Sequence, residues 1–301
     1  MTVLITGATG LVGQEIVNRC MKQGVTVHYL SRSKSKLSSD ASYKGFYWDV
    51  KNQEIDIACF EGVSTIIHLA GATISKRWTK SYKQEILDSR VNSTRLLKNT
   101  IENHQFPIRH FISASAIGIY PSSITNYYEE NFPSVSNTFL GEVVEQWEAA
   151  VDELSTLNCL ISKVRIGLVL SDKDGALPQI VKPIKLGLGA PFGSGEQWQS
   201  WIHIKDLAGI FLFIAQNQLE GVFNGVAPNA VTNNELTKAA AQVLEKPLFL
   251  PNVPSVLMHA ILGEMAIILF ESQRVSSKKI EEEGFKYEFP NLRPALEDLL
   301  L

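Results

Sequence analysis

Long apolar runs, cysteines and any surplus of one charge are all scarce in this 301-residue chain. The most membrane-like stretch, Val253 to Phe270, is interrupted by Pro254, His259, Gly263 and Glu264. It therefore predicts a helix packed on the protein rather than a bilayer span. The three cysteines, Cys20, Cys59 and Cys159, are odd in number, far apart and set in apolar surroundings. That excludes a disulfide framework and a zinc cluster, and no metal site is expected. A net charge of -3 gives no basic stripe to track phosphates, so nucleic acid is not an expected partner. The opening residues carry no basic leader, which predicts a cytoplasmic protein. No Ser/His/Asp triad or P-loop lysine can be assembled either. What remains is a small-molecule partner, with a homodimer left open as the assembly.

Short runs rich in Val, Ile and Leu alternate with segments of helical period, the pattern of βαβ units around a parallel sheet. Strands are expected at Val3 to Thr6, Thr26 to Leu30, Thr65 to Leu69, His110 to Ser113, Leu160 to Ile166 and Gly221 to Val226, with a shorter one at Phe46 to Trp48. Helices are expected to begin near Leu11, Lys80 and Gly141. From Ser171 the chain turns rich in Gly and Pro, and from Thr232 it is largely helical, with Thr232 or Asn233 as cap and Glu235 close behind. The fold class is thus α/β, a doubly wound Rossmann parallel sheet with a smaller C-terminal substrate region. Residues 1–170, completed by about 198–227, form the Rossmann domain. Residues 171–301 form mainly the substrate side and a helical C-terminal region.

Gly7, Gly10 and Gly13 follow the first strand directly and open the first helix. In that context the first glycine permits a tight turn, the second a close backbone approach to a pyrophosphate, and the third close helix–strand packing. Thr9, Gly10, Leu11 and Val12 bring unpaired N–H groups and the positive end of the helix dipole to the phosphates. An NAD-preferring site places a carboxylate after the second strand, yet this chain reads Ser31-Arg32-Ser33-Lys34. A hydroxyl and a guanidinium there accept a 2′-phosphate, which favours NADP(H).

Thr6 to Gly13 matches the T-G-x-x-G-x-x-G opening of the extended short-chain dehydrogenase/reductase superfamily, which the chain resembles along its whole length. His68-Leu69-Ala70-Gly71, Ser113-Ala114-Ser115-Ala116 and Trp201 to Leu207 continue the likeness. More narrowly, residues 71–79, 113–120, 225–233 and 263–275 resemble the atypical, NAD-dependent epimerase-like subgroup with its own C-terminal helical domain. The resemblance implies that Asp49 lies near the adenine and that Leu69, Ala70 and Gly71 run along the cofactor. It also implies that Ser115 holds the usual catalytic Ser/Thr position.

One superfamily element is missing. Its active members carry Tyr-x-x-x-Lys on a helix, where the tyrosine transfers a proton and the lysine lowers its pKa. Here Ser136 to Glu148 contains neither residue, so that acid/base step is absent. Arg90, where the superfamily often has asparagine, would return a positive charge to the ribose or phosphate, and Glu85 on the same helix is grouped with it at the cofactor. The alternative is an exposed Arg90 paired with Glu85 or Asp88. Arg77, Trp78 and Tyr120 are the expected substrate contacts. His203 and Asp206 are expected to orient a strand end and a helix start rather than to catalyse. Two functions are compatible with this pattern: an NADP(H)-dependent oxidoreductase or epimerase-like enzyme on a small polar substrate, or a noncatalytic NADP(H)-binding sensor or scaffold.

Overall fold

A computed structural model describes residues 2–301. The chain runs β1 (Thr2–Thr6), α1 (Leu11–Lys22), β2 (Thr26–Ser31), β3 (Tyr43–Asp49), β4 (Glu54–Ile55), β5 (Val63–His68), α2 (Lys80–His104) and β6 (His110–Ala116). It continues through β7 (Tyr127–Tyr128), α3 (Phe139–Asp152), β8 (Leu160–Ile166), β9 (Leu168–Leu170), α4 (Ala176–Lys185), β10 (Trp198–Gln199), β11 (Trp201–His203) and α5 (Ile204–Asn217). Next come β12 (Gly221–Gly225), β13 (Val231–Thr232), α6 (Asn233–Val243), α7 (Ser255–Leu262), α8 (Ile267–Phe270), β14 (Arg274–Val275), α9 (Lys278–Glu282) and α10 (Leu292–Leu300).

Eight strands form the main sheet in the order β12-β8-β6-β5-β1-β2-β3-β4. All its pairs are parallel except that of the short edge strand β4 with β3. Strands buried on both faces need apolar side chains throughout, which is why Val3, Leu4, Ile5, Ile66, Ile67, Phe111 and Ile112 are all buried. The chain builds outward from β1 to β3, then crosses to β5 and builds the other way. The reversal lies between β1 and β5, and ligands of open α/β sheets bind beyond the carboxyl ends of the strands at such a point.

Helix starts follow local capping chemistry. The Thr79 hydroxyl accepts the Tyr82 N–H at the head of α2. Thr138 does the same for Gly141, so α3 begins at Phe139, two residues before the glycine expected to open it. A reciprocal Thr232–Glu235 capping box opens α6. A second core joins α4, α6 and α10 through Leu177, Ile184, Leu236 and Leu296, with Leu11 and Val12 of α1 packed against its edge.

The Val253 to Phe270 stretch departs from the expectation of one packed helix. Gly263, at φ +61°, ends α7 and separates it from α8, a conformation that favours glycine. No residue of α7 is buried, and Val256 is 78% and Ile261 64% exposed. The segment beyond Gly263 does pack, for Met265, Ile267 and Ile268 join Trp78, Ile86 and Val143. No helix among the described residues is long and apolar enough to cross a membrane.

Candidate functional site

The glycine turn shows why side chains are missing from it. Gly7 has φ +71°, and a Cβ there would lie 3.0 Å from the Leu69 carbonyl carbon and oxygen. A Cβ on Gly13 would fall 2.2 Å from the Gly7 oxygen and 2.7 Å from the Ala8 Cα. Gly10 caps α1 with no side-chain acceptor, so the helix offers its first N–H groups outward, beside exposed Thr9 and Gly10. The cradle fits a dinucleotide pyrophosphate: backbone donors, a helix dipole and no Cβ in the way.

Thr6 ties the ends of β1 and β5 together. Its hydroxyl oxygen accepts the N–H groups of Leu69 and Ala70, both at 3.1 Å, and lies 2.7 Å from His68 Nδ1. Ser93 and Thr94 donate their own hydroxyl protons to the Ser89 and Arg90 carbonyls. They are therefore free to accept from His68 Nε2, at 3.2 Å each, and the network places the imidazole proton on Nε2. Burial, reinforced by the Arg90 charge, holds the His68 pKa down at about 3.

Below the ordinary value of 6.5 the unfolded chain protonates this histidine, while the native state refuses the proton until about pH 3. The stability that depends on neutral His68 is thus complete above pH 6.5 and lost on acidification, at roughly 1.4 kcal/mol per pH unit. Urea denaturation between pH 6.5 and 4 is expected to show that slope reduced by one proton in His68→Asn. An unchanged slope would contradict the assignment.

Beyond β2, the Ser31 hydroxyl receives the Ser33 N–H at 3.2 Å. Arg32 is exposed and has no ion pair or side-chain hydrogen bond among the described residues. Asp49 uses one carboxylate oxygen to accept the Lys51 and Asn52 N–H groups and the other to accept Asn52 Nδ2. It therefore builds the turn after β3, and any ligand contact must share those oxygens.

Arg90 is neither exposed nor paired with Glu85 or Asp88, and burial lowers its pKa to about 10. Its Nη1 donates to the Ala72 and Ile86 carbonyls at 3.1 and 2.8 Å, and its guanidinium lies over the Trp147 ring. A Cβ on Gly71 would sit 3.0 Å from Arg90 Cζ, so this cation supports the loop after β5 from beneath. Glu85 is exposed on α2, and Arg77 is exposed in the preceding loop. Trp78 faces inward instead, donating its indole N–H to the Ile74 carbonyl and packing edge-on against Phe139.

Ser115 is 2% exposed, and its hydroxyl donates to Glu148 Oε1 at 2.6 Å. Arg165 meets the same carboxylate with two bonds, Nε to Oε1 at 2.8 Å and Nη2 to Oε2 at 2.9 Å. Burial works against the Glu148 charge, but Arg165, Ser115 and Lys163 outweigh it and hold its pKa below the usual value. The serine proton is thus committed to a carboxylate. Tyr120, expected at the substrate, is 1% exposed: its hydroxyl donates to Asn224 Oδ1 and accepts from Arg165 Nη1. His203 caps α5 by accepting the Lys205 N–H, and Asp206 accepts the N–H groups of Glu288 and Phe289.

The first turn of α3, where the superfamily's proton-transfer pair falls, presents Phe139 and Leu140, and both join the apolar cluster around Trp78. Just past α8 stands Glu271, within the 263–275 stretch but with no role assigned from the sequence. Its Oε1 is buried without a hydrogen-bond partner among the described residues. Burial raises its pKa, opposed by the side chains of Thr138, the cap of α3, and Gln273. A carboxylate so placed weakens the fold at neutral pH, and the penalty vanishes once it is protonated. Glu271→Gln is expected to stabilise the protein by roughly 1 kcal/mol at pH 7 and by nothing below the ordinary glutamate value of 4.5. Thermal melts at pH 7 and 4 check this; a destabilised variant at pH 7 would refute it. Among the described residues no group of three His, Cys, Asp or Glu could hold a metal ion.

A doubly wound sheet with a glycine turn at its switch point defines a Rossmann protein of the short-chain dehydrogenase/reductase type. The chain belongs to the NAD dependent epimerase/dehydratase family, whose model matches residues 3–225. A domain of unknown function (DUF1731) matches residues 253–299. The epimerase family protein SH2119 of Staphylococcus haemolyticus is 36% identical over 298 residues, covering 99% of this chain and 98% of that one. The crystal structure of human epimerase family protein SDR39U1 (isoform2) with NADPH aligns at TM-score 0.87 and 31% identity over 99% of both chains. A nucleoside-diphosphate sugar epimerase from Corynebacterium glutamicum aligns at TM-score 0.79 and 28% identity, over all of this chain and 58% of that one.

Proposed function

We propose that the protein is an NADP(H)-binding oxidoreductase or epimerase-like enzyme acting on a small polar substrate. The observation that carries this reading is the tightly packed glycine turn at the open head of α1, set at the switch point and followed across β2 by an unpaired Arg32. Gly7, Thr9, Gly10, Leu11, Val12 and Gly13 would hold the pyrophosphate. Ser31 and Arg32 would meet the 2′-phosphate, Asp49 the adenine, and Leu69, Ala70 and Gly71 the length of the dinucleotide. Arg90 would keep that last loop in place. The NADPH bound to the human relative supports the phosphorylated form.

When bound, the dinucleotide supplies or accepts a hydride. The chain's task is then to orient the substrate, exclude water and move one proton. Ser115, locked to Glu148, is poorly placed to donate it, and Glu271 is the carboxyl group left with a free oxygen beside the head of α3. Residues 171–301 would form most of the substrate side. The locked Ser115 and the apolar first turn of α3 also favour a second reading, a noncatalytic NADP(H) sensor or scaffold, and turnover on a carbonyl and nucleotide-sugar panel separates the two.

Arg32→Ala tests the cofactor assignment. Losing one charge-assisted phosphate contact is expected to weaken NADPH binding by about 10- to 100-fold while leaving NADH nearly unchanged. Equal losses for both would remove Arg32 from the 2′-phosphate.

A further inference from the structure

A second polar site lies outside the glycine turn. Tyr127, Pro228, Asn229, Ala230 and Arg274 surround an open cavity of about 370 Å³. Arg274 has no carboxylate partner and no side-chain hydrogen bond among the described residues. It is nevertheless held in place. Its guanidinium lies 4.6 Å from the centre of the Trp198 ring and 5.4 Å from that of Tyr127. Its backbone pairs with Tyr127 where β14 meets β7. The Trp198 indole is fixed in turn by a 3.0 Å bond to the Ile124 carbonyl, and its backbone N–H donates to the Ser272 hydroxyl at 3.0 Å.

A solvated arginine gains little from being unpaired, but one stacked on two aromatic rings has already lost most of its rotamer freedom. Its in-plane N–H fork is then set for two parallel bonds to an oxyanion. Of the remaining walls, Tyr127, Pro228 and Ala230 are flat or apolar, and the Asn229 amide already donates to the Pro290 carbonyl and Asn291 Oδ1. Pro228 to Ala230 come after the carboxyl end of β12, so the cavity opens along the same sheet edge as the glycine turn. Four strand spacings separate β12 from β1, or about 19 Å.

We propose that Arg274 is the anchor of an oxyanion subsite that takes the carboxylate or phosphate of a compact ligand whose flat or apolar body rests on Tyr127. Calling that ligand the substrate rests on the reading of the cleft given above, whereas the anion site itself does not. It narrows the substrate class to small acids or phosphate esters.

Calorimetry on the full chain with benzoate, phenyl phosphate and neutral benzamide tests the proposal, with the difference in tryptophan fluorescence between wild type and Trp198→Phe as a parallel readout. One or both anions are expected to bind with Kd of about 1 mM or tighter, in preference to benzamide. Arg274→Gln should weaken the preferred anion at least about tenfold, Arg274→Lys should recover part of the loss, and Tyr127→Ala should weaken whichever anion binds. Benzoate binding alone identifies a carboxylate subsite, and phenyl phosphate alone a phosphate subsite. Melting temperature and NADPH affinity should stay at wild-type values in Arg274→Gln. Anions binding no better than benzamide, or binding that survives Arg274→Gln, would overturn the proposal. If the anions bind and NADPH does not, the cofactor reading falls and this site stands.

Discussion

Gly13→Ala is expected to abolish NADPH binding and to destabilise the fold by at least about 4 kcal/mol. The added methyl would meet the Gly7 oxygen at 2.2 Å and the Ala8 Cα at 2.7 Å, both backbone atoms that no rotamer change can move. Relief requires sliding α1 away from β1, which also withdraws the helix head from the phosphates. Gly10→Ala serves as the comparison, because its Cβ would approach only the Gly7 oxygen, at 3.2 Å. That variant should fold and lose affinity more than stability. Calorimetry and urea denaturation of the two proteins separate these effects. A Gly13→Ala protein with wild-type melting and binding would show that the helix and strand are not packed as described.

Glu148→Ala should cost about 3–5 kcal/mol of stability. It strips the Arg165 guanidinium of both carboxylate bonds while leaving it buried, with only the Tyr120 hydroxyl and the Glu130 carbonyl to receive its protons. Most of the cost is the uncompensated cation, so the double variant Glu148→Leu/Arg165→Met should be less damaged than the single. Glu148→Gln should fall between, since an amide oxygen still accepts from Ser115. Urea denaturation at pH 7 measures all three. A single-variant loss below about 1 kcal/mol would mean that water already reaches the pair. The acid limb follows from the lowered pKa of Glu148: the pair's contribution is complete above the ordinary value of 4.5 and lost as pH falls below it.

The residues that could be read from the sequence are those whose neighbours are local or strictly patterned. Parallel strands buried on both faces are mostly apolar, so Thr2–Thr6 and Val63–His68 stand out as short runs. The glycine turn is legible because its three small residues lie within seven positions of a strand end. The α3 start lies two residues earlier than expected because Thr138, not Gly141, sets it. What escaped depends on distant partners. Ser115 is bound by a carboxylate 33 positions away, and Tyr120 by an asparagine 104 positions away, so a motif match could name both but not tell that they were already occupied. Arg90 reads as a cofactor contact or an exposed helix arginine, yet Ala72 and Trp147 close over it from two other segments. Glu271 follows an apolar run inside the 263–275 likeness, and neither feature reveals its burial. Only the packing of α8 on the head of α3 gives it meaning.

We propose that the turn from Gly7 to Gly13 grips a dinucleotide whose 2′-phosphate is met by Ser31 and Arg32. The most direct test is calorimetry of the wild-type chain with NADPH and NADH side by side at fixed salt. The account predicts measurable binding of NADPH, with NADH weaker by about tenfold or more. Equal affinity would refute the phosphate assignment, and no heat from either form would refute the site.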